Sequence, residues 1–179
     1  MILLAEQMSK ETLNLYFEKF GLQQDTGLEL PAESKGLMQP PERWYGTIPF
    51  TLAYGQGYSA TSVQMTSVFA TIANQGIRVE PSIVKAIVEV DGTVVDTPDA
   101  ERSRVVREDT ARQVMAMMEA VTGDGGTAPQ ARIPGYRVAG KTGTAQFVDE
   151  DCGCYAGDVT ASFIGVVPAD APRLAVGVF

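Results

Sequence analysis

The 179-residue sequence contains no histidine. Without an imidazole there is no Ser-His-Asp triad, no Cys-His pair and no histidine metal site. Cysteine is nearly absent too. Cys152 and Cys154 are the whole supply, and two thiols cannot complete a four-ligand zinc site. They read as thiols carried by a polar loop at 149–154, with a strained local disulfide as the alternative. Positive charge is scarce: 14 Lys and Arg stand against 22 Asp and Glu, giving a net charge of −8 and a pI near 4.5. That balance argues against nucleic acid or an anionic membrane surface as the main partner. There is no long apolar run. Residues 1–5 are apolar but too few for a signal peptide or a membrane span.

What remains is ordinary for a globular domain, with 45% hydrophobic and 20% charged residues. The length suffices for one buried core, and no internal repeat is visible. One stretch stands out: residues 135–146, GYRVAGKTGTAQ. It places a lysine, two hydroxyls and two glycines within residues 140–144. Glycine lets a backbone approach a ligand closely, the hydroxyls donate hydrogen bonds and the ammonium supplies charge. Gly135, Gly140, Lys141 and Thr142 match the P-loop pattern G-x-x-x-x-G-K-S/T letter for letter. A P-loop, however, follows a buried strand and opens a helix. Here Ile133 and Pro134 precede the stretch and an extended-looking run follows it. The competing reading is Lys141-Thr142-Gly143 as the Lys-Thr-Gly signature of serine penicillin-binding proteins and β-lactamases, which sits on a strand lining an active site.

Along the chain, Ser9 is a candidate N-cap with Glu11 in the first helical turn. Leu13, Tyr16, Phe17 and Phe20 recur at helical spacing, a stripe read as core, and Gly21 is the stop. Residues 25–60 are rich in breakers, with Trp44 and Tyr45 either lining a groove or packing under a long loop. Thr61 and Gln64 form a capping box before a helix with Met65, Val68, Phe69 and Ile72 on one face, closed by Gly76. Residues 83–95 read as a hairpin about a two-residue Asp91-Gly92 turn. Asp109 is expected to cap a helix bearing Ala111, Val114, Met115 and Met118. The Lys-Thr-Gly strand and strands at 160–167 and 173–179 follow. Short links make them an antiparallel sheet, and helices first with strands last imply an α+β fold.

Together these stretches resemble the transpeptidase domain of class B penicillin-binding proteins, most closely the division-type enzymes. The pieces are Phe20-Gly21 with Thr26-Gly27, the run 53–57, the run 61–65 leading to 72–76, Gly125-Gly126-Thr127-Ala128, the run 138–146 and the run 161–165. They stand in the family's order and cover nearly the whole chain. The resemblance implies helices packed on an antiparallel sheet, as an incomplete serine β-lactamase/penicillin-binding-protein fold. It also implies peptidoglycan cross-linking. A serine attacks a D-Ala-D-Ala stem peptide, D-alanine leaves, and a neighbouring stem takes the acyl group. β-Lactams mimic the dipeptide. By the same resemblance Lys141 binds the substrate carboxylate and aids proton transfer, and the hydroxyls of Thr142 and Thr144 hydrogen-bond that carboxylate. Gly143 completes the motif, and the N–H of Thr144 is one of two oxyanion donors. Such a donor is worth roughly 3 kcal/mol of transition-state stabilisation; a charge-assisted carboxylate bond is worth about 1.5–3 kcal/mol. No cofactor or metal is implied. The implied partners are stem peptides, β-lactams, the rest of the same domain and division proteins. The implied location is the extracytoplasmic face of the bacterial membrane.

The sequence departs from the family where the nucleophile should be. It has no S-x-N, and its one S-x-x-K, Ser82-Ile83-Val84-Lys85, enters a strand, where positions three apart face opposite sides. A nucleophilic serine one helical turn before its lysine needs a helix N-terminus. The expectation is therefore that residues 1–179 form the C-terminal part of a transpeptidase domain. The S-x-x-K, the S-x-N and the closing helix then lie outside the chain, which by itself forms no acyl-enzyme. The alternatives are a β-lactamase or carboxypeptidase of the same fold, a non-catalytic scaffold of the division machinery, and a P-loop NTPase. Asn14 and Asn74 both lack a glutamate four residues before, which disfavours a class A β-lactamase.

Overall fold

The computed structural model describes residues 2–96, 100–148 and 155–179; Cys152 and Cys154 lie outside them. In chain order the elements are α1 (Ile2–Ala5), α2 (Lys10–Lys19), β1 (Leu37–Met38), α3 (Ile48–Ala53), β2 (Tyr58–Ser59) and α4 (Ser62–Ala73). Then come β3 (Ile77–Val79), β4 (Ala86–Val88), β5 (Val94–Asp96), β6 (Arg102–Arg104), α5 (Glu108–Glu119), β7 (Ala139–Val148), β8 (Tyr155–Val167) and β9 (Leu174–Val178). The last three form one antiparallel sheet in the order β7-β8-β9, while β1–β2, β3–β6 and β4–β5 are separate antiparallel pairs. This is the α+β arrangement of helices on an antiparallel sheet expected from the sequence.

Strand periodicity decides which side of the sheet is covered. Ala139 pairs with Val166 and Lys141 with Ile164, so all four share one face. Ala139 and Val166 are wholly buried and Ile164 nearly so. Ile72 of α4 and Met115 of α5 join Ala139 and Val166 in the core cluster, with Phe69, Val114, Met118 and Ala175 packed around. The helical stripes read from the sequence at α4 and α5 are thus the ones that meet the sheet. On the opposite face, the ring of Phe163 lies over Gly140 and Gly165, where any β-carbon would run into it.

The helix termini follow the sequence in two cases and depart from it in one. Ser9 Oγ accepts from Thr12 N–H at 3.2 Å. Thr61 and Gln64 form both halves of the capping box, with Thr61 N–H donating to Gln64 Oε1 at 2.9 Å and Gln64 N–H to Thr61 Oγ1 at 3.1 Å. Gln64 does more than cap. It is 1% exposed, and its Nε2 donates to the carbonyls of Gln24 at 2.9 Å and Lys35 at 3.2 Å, so it anchors the loop between α2 and β1. Helix α5 begins earlier than expected. Its N-cap is Arg107, with no side-chain cap, and Glu108 and Asp109 occupy the first turn, where their charge favours the helix dipole.

Other differences have local causes. The stripe of α2 is half-buried rather than core: Phe17 packs edge-on to Trp44 at 6.3 Å, Phe20 touches the main core, and Tyr16 stays exposed. Trp44 itself is 4% exposed and donates from Nε1 to Gln39 O at 2.6 Å, which settles it as packing beneath the loop. The α3 helix escaped the sequence reading because it is six residues long and carries Pro49 in its first turn. The hairpin turn holds three residues, not two. Glu89 N–H donates to Thr93 O at 2.8 Å, and of Val90, Asp91 and Gly92 only Gly92 has positive φ, at 88°. A two-residue type I′ turn needs positive φ at both central positions; Asp91 instead accepts from Thr93 N–H at 2.8 Å, giving a bulged turn.

Candidate active-site strand

Residues 139–148 form one uninterrupted strand, and Lys141, Thr142, Gly143 and Thr144 lie inside it opposite Ile164, Phe163, Ser162 and Ala161. No helix opens at Thr142, so the P-loop geometry is not there. Strand β7 is an edge of its sheet among the described residues. It is anchored at Ala139 and emerges into solvent at Lys141, which is exposed, while Thr142 and Gly143 are half-buried and Thr144 is exposed. A buried anchor followed at once by exposed polar groups holds those groups on a rigid support. At Gly143 the hydroxyl of Ser162 on β8 sits where a β-carbon would be, so any larger residue there would have to turn that side chain aside.

The polar groups converge. Lys141 Nζ donates to the carbonyl of Thr142 at 2.7 Å and stands 3.5 Å from Thr142 Oγ1. Thr142 Oγ1 is 3.1 Å from Thr127 Oγ1. Thr127 comes from the loop after α5, within the Gly-Gly-Thr-Ala run that carried part of the resemblance; nothing in its local pattern marked it as a site residue. An ammonium and hydroxyls on an exposed strand edge bind a carboxylate well, since both donate and the ammonium matches its charge. Thr144 makes no side-chain hydrogen bond to these groups and is exposed. Beside the strand, a groove of about 490 Å³ is lined by Met38, Gly55, Gly57, Tyr58, Ala145 and Gln146. It extends the strand edge past Thr144 and is wide enough for a peptide side chain.

The S-x-x-K string is elsewhere and differently built. Ser82 lies in an irregular segment, and β4 starts only at Ala86, so Val84 and Lys85 precede the strand they were expected to enter. The Ser82 hydroxyl is bonded to the Glu29 carboxylate, which also accepts from Ile83 N–H at 3.0 Å. The Ser82 hydroxyl, and then the Ile83 N–H, hold Glu29 below the usual carboxylate range. Among the described residues the Ser82 hydroxyl donates to Glu29 and to the Val84 carbonyl, and no hydrogen bond joins it to Lys85.

Comparison with known proteins points in one direction. The family model described as penicillin binding protein transpeptidase domain matches residues 1–179. The chain is 41% identical to penicillin-binding protein PbpB of Mycolicibacterium smegmatis, over 99% of its own length and 28% of that protein's. It is 38% identical to peptidoglycan D,D-transpeptidase FtsI of Escherichia coli K12, over 97% and 28%. Among solved structures it is similar to penicillin binding protein 3 of Mycobacterium tuberculosis complexed with aztreonam. There the TM-score is 0.94 at 43% identity, covering 98% of this chain and 41% of that one. The chain thus spans less than a third of the length of these curated relatives.

Proposed function

The chain belongs to the penicillin-binding protein transpeptidase domain family, and on that premise we propose that it supplies the substrate-carboxylate strand of a peptidoglycan D,D-transpeptidase. The observation that carries the reading is the convergence of Lys141 Nζ and the Thr142 hydroxyl on the exposed edge of a strand anchored by the buried Ala139. In this reading the terminal carboxylate of a D-Ala-D-Ala stem peptide, or its β-lactam mimic, is held by Lys141, Thr142 and Thr144. The Thr144 N–H is one oxyanion donor and Lys141 aids proton transfer. The groove past Ala145 takes the upstream part of the peptide.

The reaction needs a serine beside this strand. Ser82, the one serine in an S-x-x-K string, is held by Glu29, so residues 1–179 bind substrate but form no acyl-enzyme by themselves. The working site lies on the outer side of the bacterial membrane, where peptidoglycan is made, and further segments and division proteins are its partners. No helix of the described residues is long and apolar enough to cross a membrane.

The test is binding without chemistry. Titrating the chain with an acyl-D-Ala-D-Ala peptide and with its C-terminal amide should show tighter binding of the acid. The preference should be lost in Lys141→Ala, and incubation with a penicillin should leave the mass at 19.1 kDa. Equal binding of acid and amide refutes the carboxylate site. A stoichiometric adduct refutes the absence of a nucleophile.

A further inference from the structure

The loop after α5 presents a hydroxyl to β7, and the loop is fixed on both sides of it. Before Thr127, Thr122 Oγ1 donates to Val138 O at 2.7 Å, and Gly126 sits so close to the Val121 and Ala120 carbonyls that a side chain has no room. After it, Ala128 is 6% exposed and donates from its N–H to Val121 O at 2.9 Å. Arg132 Nε donates to Thr122 O at 2.6 Å, and its Nη2 pairs with Asp124 at 2.5 Å. Thr127 is therefore delivered to Thr142 by a built loop.

A hydroxyl has one proton and two acceptor positions, and an ammonium can only donate. Lys141 Nζ, 3.5 Å from Thr142 Oγ1, addresses one acceptor position. If Thr142 then gave its proton to Thr127, it would have nothing to offer an anion. If Thr127 donates instead, both acceptor positions are filled and the Thr142 proton must point elsewhere. We propose that Thr127 is a positioning residue: its hydroxyl donates to Thr142 across the 3.1 Å contact and leaves the Thr142 proton for the substrate carboxylate. Thr127 touches no reacting atom, and its role rests on the reading of β7 as a carboxylate site.

The measurement is the ratio of affinities for the acyl-D-Ala-D-Ala acid and its amide, read by chemical-shift titration on the full chain. Thr127→Val keeps the shape of an exposed side chain, so the fold should survive, with circular dichroism as the check. The acid preference should fall about fivefold, the worth of one neutral hydrogen bond, with affinity for the amide unchanged. Thr127→Ser should restore the preference, and Thr127→Val should add nothing in a Thr142→Val background. An undiminished preference in Thr127→Val overturns the inference alone. So does an equal loss for acid and amide, which marks a merely structural role. No acid preference in the unmodified chain overturns the carboxylate reading and takes this inference with it.

Discussion

The β4–β5 hairpin and the β7–β8–β9 sheet are both antiparallel and both rich in valine and isoleucine. In the hairpin these side chains face water: Ile87 is 58% exposed, Val88 60% and Val94 58%. In the sheet, Val166 and Ala139 are at 0% and Ile164 at 4%. The difference lies in what covers them. Helices α4 and α5 bring Ile72 and Met115 onto one sheet face, whereas no helix packs on the hairpin among the described residues. A lone two-stranded hairpin is marginal in water, while a third strand and a helical cover give a sheet stability of its own. The Lys-Thr-Gly residues sit on the covered sheet, two to four residues after the wholly buried Ala139. Ser82-Ile83-Val84-Lys85, with its equally suggestive letters, leads into the uncovered hairpin. Residue types nominate a site, and rigidity from burial decides between the nominees.

The largest effect is expected at Ile164, beneath the covered face of the sheet. Ile164→Ala should cost about 2–5 kcal/mol in denaturant unfolding, by lost burial and the cavity left behind. Next is Lys141→Ala, which should cut affinity for a D-Ala-D-Ala carboxylate by about 1.5–3 kcal/mol in a titration while leaving the unfolding midpoint in place. Two cross-strand partners on one sheet face would then separate stability from function. Gln64→Leu should lose about 1–3 kcal/mol, because the Gln24 and Lys35 carbonyls lose their donor. Proteolysis should then open the 24–35 loop before the sheet.

Smaller effects sharpen the other side. Ile87→Ala in the hairpin should change stability by no more than about 0.5 kcal/mol, and hairpin amides should exchange faster than those of β8. Smallest is the Glu29 titration. Its folded pKa is depressed, chiefly by the Ser82 hydroxyl. The Ser82 tie should therefore be fully present above the ordinary carboxylate pKa and lost as pH falls through the lowered folded value. Following the Glu29 carboxyl carbon by NMR checks this; Ser82→Ala should return it to the ordinary range.

Much of this was legible in the chain. The capping box at Thr61 and Gln64, the stripes of α4 and α5, and the three closing strands all rest on local periodicity or local hydrogen bonds, which a sequence displays directly. The strand position of Lys141 followed from what it is not, since no helix could start at Gly143. What stayed hidden depends on contacts far apart in sequence. The second job of Gln64 reaches 40 residues back to Gln24. The burial of Trp44 depends on Phe17, and the approach of Thr127 to Thr142 depends on how the loop after α5 returns to β7. Hairpin exposure was also hidden, because an alternating apolar strand looks the same whether or not a helix covers it.

Where a D-Ala-D-Ala peptide lands decides whether β7 is a carboxylate site. A residue-resolved chemical-shift titration of the chain with the acyl-D-Ala-D-Ala acid locates it. The largest shifts should fall on Lys141, Thr142, Gly143 and Thr144, spread to Thr127 and Gln146, and shrink with the amide. Shifts centred instead on the apolar groove between α4 and β9, at Val63, Val79 and Val176, or equal shifts for acid and amide, would contradict the carboxylate site.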